Sequence, residues 1–385
     1  MKVAILGTRG IPNYYGGFEQ FAEYLSLGLV EAGFDVTVYN SHTHPYQQSE
    51  WNGVKIVHCY DPENKLGTIG QFVYDFNCIL DCRKRKFDII LQLGYTSSSV
   101  WYWLLPRRHS IIITNMDGME WKRSKYSNNV KQFLKYAEVL AVKHSHHLIS
   151  DSIGMQEYLK NAYEVSSTYI PYGAHVFNDP SQEVLEEYKL AAYDYNLLIA
   201  RLEPENSIEV ILNGVSKSTN KIPFLVIGKN ETKYGEYLKE KFASFENIRF
   251  LGAIYDINKL NNLRFHSKIY FHGHTVGGTN PSLLEAMSSG ALICAHKNIF
   301  NEAILDSDAY FFTNEEEVRE VVSTVDKSEV SNANKVRSNL SKVGNSYLWS
   351  IIIDKYINHF KMVWMHPKLN LSESSLNLGN QHSAQ

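Results

Sequence analysis

Cysteine is scarce in this chain. Cys59, Cys78, Cys82 and Cys294 are the only four in 385 residues, and none forms a C-x-x-C pair. That argues against a disulfide-stapled secreted domain and suits a reduced, cytoplasmic compartment. Cys78 and Cys82 lie four apart on a helical pattern and read as packing residues. Net charge is also nearly missing: 38 Lys and Arg against 41 Asp and Glu leave −3, so no basic field invites nucleic acid. No uninterrupted apolar run reaches transmembrane length, so a membrane, if involved, is met along a surface. No secretory leader is expected, since Met1-Lys2 leads straight into Val3–Gly7, which reads as a buried strand. A dinucleotide fingerprint is lacking too. The first loop reads Gly7-Thr-Arg-Gly10, and the second strand ends in Tyr39-Asn40 without an acid for a ribose. A nicotinamide dehydrogenase is disfavoured on both counts.

What is present is a globular composition, 44% apolar and 21% charged, with 25 tyrosines. The length suits two domains. Short apolar runs alternate with helical periodicity. Lys2–Leu6, Val36–Tyr39, Val54–His58, Asp88–Leu93, Ser110–Thr114, His147–Ser150 and Ser167–Ile170 read as strands. Helices are expected from Phe18, over 69–84, 96–105, 129–144 and 155–162. Pro171-Tyr-Gly-Ala174 and the polar residues after it read as a linker. A second strand-helix series opens at Tyr195–Ala200 and continues through Phe224–Ile227, Ile248–Leu251, Ile269–Phe271 and Ala291–Cys294. An aromatic-rich helix is expected over 346–362 and an aperiodic polar end after it. The expected class is therefore α/β: two Rossmann-like, doubly wound parallel-sheet domains facing a central cleft. The domains are placed at 1–172 and 173–345, with a helix over 346–363 crossing back and a disordered tail over 364–385.

In such sheets ligands sit beyond the carboxyl ends of the strands, so the strand-to-helix loops carry the chemistry. The first, GTRGIPNYYGGFEQ (Gly7–Gln20), is rich in glycine. Gly7, Gly10, Gly16 and Gly17 allow positive φ and close backbone approach, and the helix behind them offers free N–H groups to a phosphate or a sugar hydroxyl. A turn that needs only its torsions explains the glycines equally well. The second, ARLEPENSIEV, places Arg201 at a strand end, where a guanidinium can fork onto a diphosphate; an interdomain ion pair is the competing explanation. The third, HGHTVGGTNPSLLEAMSSG (His272–Gly290), combines Gly277, Gly278 and Thr279 with Asn280 as an N-cap and Pro281 in the first helical position. Glu285 lies one turn in, among Leu284, Ala286 and Met287. Backbone donors for phosphates and a carboxylate for a ribose diol make a nucleoside-diphosphate holder. The alternative is a plain capped helix. A carboxylate at this depth calls for a partner.

His42/His44, His144/His146/His147 and His272/His274 lack acidic or thiol partners for a metal, and Asp306-Ser-Asp308 reads as a solvated turn. Trp101–Leu105 followed by Arg107-Arg108 is a candidate peripheral membrane patch, or a buried segment with a basic end.

Taken together, GTRGIPNYYGGFE, DGMEWKR (Asp117–Arg123), IPYGA (Ile170–Ala174), ARLEPEN and GGTNPSLLEAM resemble glycosyltransferase family 4, over about residues 1–360 and in order. They are similar more narrowly to its rhamnosyltransferase-type branch of bacterial capsule and surface-polysaccharide synthesis. The resemblance implies a GT-B fold and a retaining, metal-independent transferase without a cofactor. The donor it implies is a nucleotide-sugar, dTDP-L-rhamnose first. The acceptor would be a saccharide, with lipid-linked saccharides and a peripheral contact with the inner membrane as candidates. It implies that Arg201 clamps the donor diphosphate together with Gly278, Thr279 and Asn280, that Glu285 holds the ribose, and that Gly16 and Gly17 face the donor phosphates or the transferred sugar. Asp117 stands where a histidine is often found and is the candidate for positioning or deprotonating the acceptor; capping of the turn before Gly118 explains it nearly as well. Two departures stand out. Asn206 replaces a customary lysine, and Gly277 replaces the first of two customary glutamates. A UDP- or GDP-sugar donor, a nucleotide-sugar epimerase and a catalytically silent nucleotide binder remain the rival readings.

Overall fold

A computed structural model describes residues 1–123 and 126–366. The expected tail falls largely on residues 367–385, which lie outside the described residues. Contacts divide the chain into two units. The first holds Met1–Trp121, Asn128–Pro171 and the chain from Ser350; the second holds Lys122–Ser127 and Tyr172–Trp349.

The first unit is built on eight strands: β1 (Lys2–Leu6), β2 (Asp35–Ser41), β3 (Glu50–Trp51), β4 (Val54–Cys59), β5 (Ile89–Leu93), β6 (Ile111–Asn115), β7 (His147–Ser150) and β8 (Thr168–Tyr169). Their order is β3-β4-β2-β1-β5-β6-β7-β8. All pairs are parallel except the edge hairpin β3–β4. β1 and β5 are apolar almost throughout and buried, as strands covered on both faces must be. The helix Gly17–Glu31 lays Phe21, Ala22, Leu25 and Leu29 onto the sheet, an i, i+4, i+8 stripe. Trp349–Met365 packs on this helix. Tyr356 meets Phe21 at 5.2 Å between ring centroids, and any Cβ at Gly28 would lie 2.5 Å from Ile353.

The second unit has six parallel strands: β9 (Asn196–Ile199), β10 (Phe224–Ile227), β11 (Ile248–Gly252), β12 (Ile269–His272), β13 (Ile293–His296) and β14 (Tyr310–Phe312). The order β11-β10-β9-β12-β13-β14 is the doubly wound order, with the reversal between β9 and β12. Its core joins Leu198, Phe224, Val226 and Phe271 of the sheet to Ile208, Ile211, Leu212 and Val215 of the helix Ile208–Lys217. Helix starts are set by side-chain caps from Thr232, Asp256, Asn280, Asn298 and Asn314.

The two Rossmann-like sheets bear out the expected α/β class of two doubly wound units. Several local expectations are corrected. The helix expected over 96–105 is a 3-10 segment, Ser99–Leu104, compressed between β5 and Pro106. The segment after Arg201 opens with a 3-10 turn, Pro204–Asn206. Ser207 then takes a left-handed φ of 49° before the α-helix begins at Ile208. The linker contains a short helix, Glu183–Glu187. The late helix starts at Trp349, after a π turn over Val343–Tyr347. All four cysteines are free and buried. In the Trp101–Leu105 run, Trp101 donates to the Phe72 carbonyl (2.9 Å) and packs on Phe76, and Tyr102 is buried; Trp103 is exposed. No helix among the described residues is long and apolar enough to cross a membrane.

Candidate nucleotide-sugar site

β9 and β12 run side by side, pairing Leu197 with Tyr270 and Leu198 with Phe271, and leave the sheet at its carboxyl edge. The strand order reverses between them, and beyond such a switch point doubly wound sheets bind their ligands. Arg201 follows β9 and is exposed there. Its loop is tied back internally: Asn206 Nδ2 donates to the Arg201 carbonyl at 2.8 Å. Asn206, which stands where the wider resemblance has a lysine, is thus a buried loop brace.

The loop after β12 is fastened to the same turn. Thr275 donates to the Glu205 carbonyl through its backbone N–H (3.0 Å) and its hydroxyl (2.8 Å). Gly273 is required at this crossing, since a Cβ there would lie 2.0 Å from the Asn206 carbonyl oxygen. The His274 carbonyl accepts from Asn298 (3.0 Å) and Asn301 (3.1 Å). The Glu205 carboxylate, almost fully buried, pairs with Arg123 at 3.4 Å. The His272 and His274 rings stack at 4.4 Å, 14° from parallel. Burial, then the nearby Arg201 and Arg123, lower His274 to about 3, so it stays a neutral imidazole at physiological pH.

Gly277 takes φ 120°, with open space around its Cβ position, and leads into Asn280. Asn280 Oδ1 accepts from the Ser282 backbone N–H (3.1 Å) and hydroxyl (3.0 Å), opening the helix Pro281–Ser288. Thr279 is buried just before it. Glu285 has the partner its surroundings demand. Its Oε2 accepts from Arg264 Nη2 at 2.6 Å, and the Arg264 side chain is 1% exposed against 24% for Glu285. Arg264 Nη1 is oriented by Asn261 Oδ1 at 2.9 Å. Arg201, Gly278, Thr279, Asn280 and Glu285 therefore lie on the two connections that flank one switch point. Arg264 belongs to none of the motifs, and Gly273 and Thr275, which also support them, lie in the third loop but carried no expected role. Arg264 did leave a trace: with Leu260 and Leu263 it falls on the buried stripe of the helix Ile257–Phe265.

In the first unit, Gly7 and Gly10 adopt positive φ (88° and 131°), as their loop requires. Gly16 does not; at φ −177° it is extended, and Gly17 begins the helix. The expectation of positive φ at Gly16 and Gly17 is corrected accordingly. The N-terminus of that helix is also occupied. Glu19 folds inward, 6% exposed, and accepts from the Arg9 N–H (2.9 Å) and the Thr8 hydroxyl (3.4 Å). Its carboxylate lies 3.5 Å from the Cβ position of Gly16, so an anion at Gly16–Gly17 meets a like charge. Asp117 follows β6, half-buried, with a left-handed φ of 49° rare for a non-glycine residue. Its N–H donates to Asn115 Oδ1 at 3.0 Å, and Asn115 Nδ2 donates to Tyr356 at 3.3 Å. Among the described residues no three His, Cys, Asp or Glu side chains converge in a metal-binding group.

Residues 1–175 match a family model described as a domain of unknown function, DUF1972. No curated protein matches the sequence. Solved structures match over both units. Sucrose-phosphate synthase from Thermosynechococcus elongatus is 13% identical with a TM-score of 0.78, covering 94% of this chain and 99% of that one. HepE from Anabaena, solved with UDP-glucose, is 12% identical with a TM-score of 0.73, covering 94% and 99%. A UDP-forming α,α-trehalose-phosphate synthase from Burkholderia xenovorans, solved with glucose 6-phosphate, is 12% identical with a TM-score of 0.70, covering 94% and 100%. At such identities the likeness is one of fold: this chain has the GT-B fold that these glycosyltransferases share.

Proposed function

We propose that the protein is a glycosyltransferase that takes a sugar from a nucleoside-diphosphate donor and passes it to a saccharide acceptor. The observation that carries this reading is the convergence of the Arg201 loop and the Asn280-capped helix at the switch point of the second sheet. Departure of the sugar builds negative charge on the diphosphate. Arg201 and the N–H groups at Gly278, Thr279 and Asn280 would stabilise that charge electrostatically, as a fixed arrangement of cation and dipoles can. Glu285, held by Arg264 through one oxygen, would offer the other to the ribose diol. The acid at Glu19 favours a sugar hydroxyl over a phosphate as the group near Gly16 and Gly17. Asp117 would position or deprotonate the acceptor hydroxyl, and its constrained backbone supports a placed rather than incidental carboxylate.

The motif pattern makes dTDP-L-rhamnose the first donor to test and a lipid-linked saccharide the first acceptor class. A deoxysugar has one hydroxyl fewer to hold, which fits Gly277 in place of a carboxylate. Retention would follow from same-face attack, with a diphosphate oxygen taking the acceptor proton while Asp117 only positions the hydroxyl, and with no metal needed for the leaving charge. A UDP-sugar donor is the second reading, favoured by the UDP complexes of HepE. Turnover decides between them: dTDP-rhamnose and UDP-glucose are each incubated with acceptor, and the released nucleotide and the anomeric configuration of the product are read by NMR. Release of dTDP with the donor's anomeric configuration kept in the product supports the first reading. Release of UDP replaces the donor, and release of neither overturns the proposal.

A further inference from the structure

The carboxyl edge of the first sheet carries an ordered aromatic surface that the donor site does not use. Tyr14 and Tyr15 sit in the loop after β1 and Tyr60 in the loop after β4; they are 59%, 48% and 52% exposed. Single exposed tyrosines are common and mean little. Each of these three packs against a histidine ring. Tyr14 and Tyr15 both lean on the His44 ring, at 5.5 and 5.8 Å, and Tyr60 leans on His42 at 5.0 Å. His44 is 1% exposed and is pinned in turn, with Nε2 3.1 Å from the Pro12 carbonyl and Nδ1 accepting from the Tyr46 N–H at 3.1 Å. His42 Nδ1 accepts the Asp61 N–H at 2.9 Å. Loops after three neighbouring strands, β1, β2 and β4, thus fix three half-exposed rings where a doubly wound sheet binds ligands.

The charge around them has a definite sign. Arg9 lies 6.0 Å from the Tyr15 ring, but Glu63 takes its guanidinium through two hydrogen bonds, 2.8 and 3.1 Å. Glu19 and Asp61 also act electrostatically on Arg9, so three carboxylates outweigh one cation. A phosphorylated or carboxylated ligand would be repelled. A neutral pyranose fits: its C–H face lies flat on the negative face of a tyrosine ring, and its hydroxyls reach the polar groups at the rim.

We infer that Tyr14, Tyr15 and Tyr60 form the acceptor platform and that the acceptor presents a neutral sugar, not a sugar phosphate, to it. This rests on the glycosyltransferase reading and names its acceptor class. It also sets this chain apart from the trehalose-phosphate synthase of the same fold, which was solved with a sugar phosphate.

The test is saturation-transfer NMR on the full chain. The neutral probes are the octyl glycosides of glucose, galactose, rhamnose and N-acetylglucosamine; the anionic probes are glucose 6-phosphate and glucuronic acid. The variants are Tyr15→Ala, Tyr60→Ala and the conservative Tyr15→Phe. UDP and dTDP titrations run in parallel and report on the donor site separately. Expected are sugar-ring signals from at least one neutral glycoside, weakened at least about fivefold in each alanine variant and kept in Tyr15→Phe, with none from the anionic probes. Nucleotide binding should be unchanged in all variants. Preference for glucose 6-phosphate, sugar-ring signals indifferent to both alanine substitutions, or no binding of any neutral glycoside would overturn the inference. Loss of nucleotide binding in the unmodified protein would instead overturn the donor reading beneath it.

Discussion

Replacing Arg264 by methionine is the sharpest stability test of how Glu285 is held. The guanidinium is 1% exposed and bonds Glu285 at 2.6 Å and Asn261 at 2.9 Å. Methionine refills most of the apolar stem but leaves the carboxylate without its cation. Breaking a buried pair from one side costs about 3–5 kcal/mol. Glu285 is 24% exposed, so water recovers part of that, and a loss of about 2–3 kcal/mol is expected. At roughly 2–4 °C per kcal/mol for a body of this size, the second unit should melt about 4–12 °C lower. Urea denaturation and calorimetry read both quantities. Adding Glu285→Gln to Arg264→Met should restore a good part of the loss, because the two side chains interact directly. A change under about 0.5 kcal/mol for Arg264→Met, or strict additivity in the double variant, would refute the reasoning.

Gly273→Ala drives a Cβ into the Asn206 carbonyl at 2.0 Å, so it should cost about 1–3 kcal/mol and weaken nucleotide binding by displacing the Arg201 turn; calorimetry on the variant checks both. Phe360, fully buried against Tyr356, should cost about 3–5 kcal/mol when cut to alanine, read by urea denaturation of the first unit. Burial raises Asp75 to about 7, with nearby Asp61 adding to this and a bond to Ser97 opposing it. The folded chain therefore binds a proton the unfolded chain releases near pH 4. That contribution is complete below pH 4 and is lost as pH rises through 7. Asp75→Asn should accordingly stabilise the protein by about 1–3 kcal/mol at pH 8, with the gain shrinking toward pH 4, when denaturation is followed across that range.

Much of the fold was legible because its strands are short apolar runs between turn residues, as in Ile89–Leu93 and Phe224–Ile227. Both doubly wound sheets follow from that alternation. The misread segments are those where tertiary contacts overrule local pattern. Ser99–Leu104 has the apolar content of a helix, but it folds as a 3-10 segment just before Pro106, with Trp101 drawn to the Phe72 carbonyl. The turn at Pro204–Asn206 stays 3-10 because Thr275 holds the Glu205 carbonyl from another loop. At the site, Asn280 and Glu285 were readable from capping chemistry and from a carboxylate set among apolar neighbours. Arg264 and Gly273 were not, since each acts through residues on another connection, and neither was the inward turn of Glu19, which is set by its bonds to Thr8 and Arg9 within one loop. Glu19 in particular changes what Gly16 and Gly17 can hold.

The central claim is that the switch point of the second sheet binds a nucleoside diphosphate through Arg201 and Glu285. The measurement that meets it most directly is calorimetric titration with dTDP, UDP, GDP and NAD, beside Arg201→Ala and Glu285→Ala. The account predicts that a nucleoside diphosphate binds in preference to NAD, with dTDP foremost, and that affinity falls about 10–100-fold in Arg201→Ala, the scale of a lost charge-assisted contact. Glu285→Ala should also weaken it. Equal or absent binding of all four, or affinity untouched by both substitutions, would contradict the account.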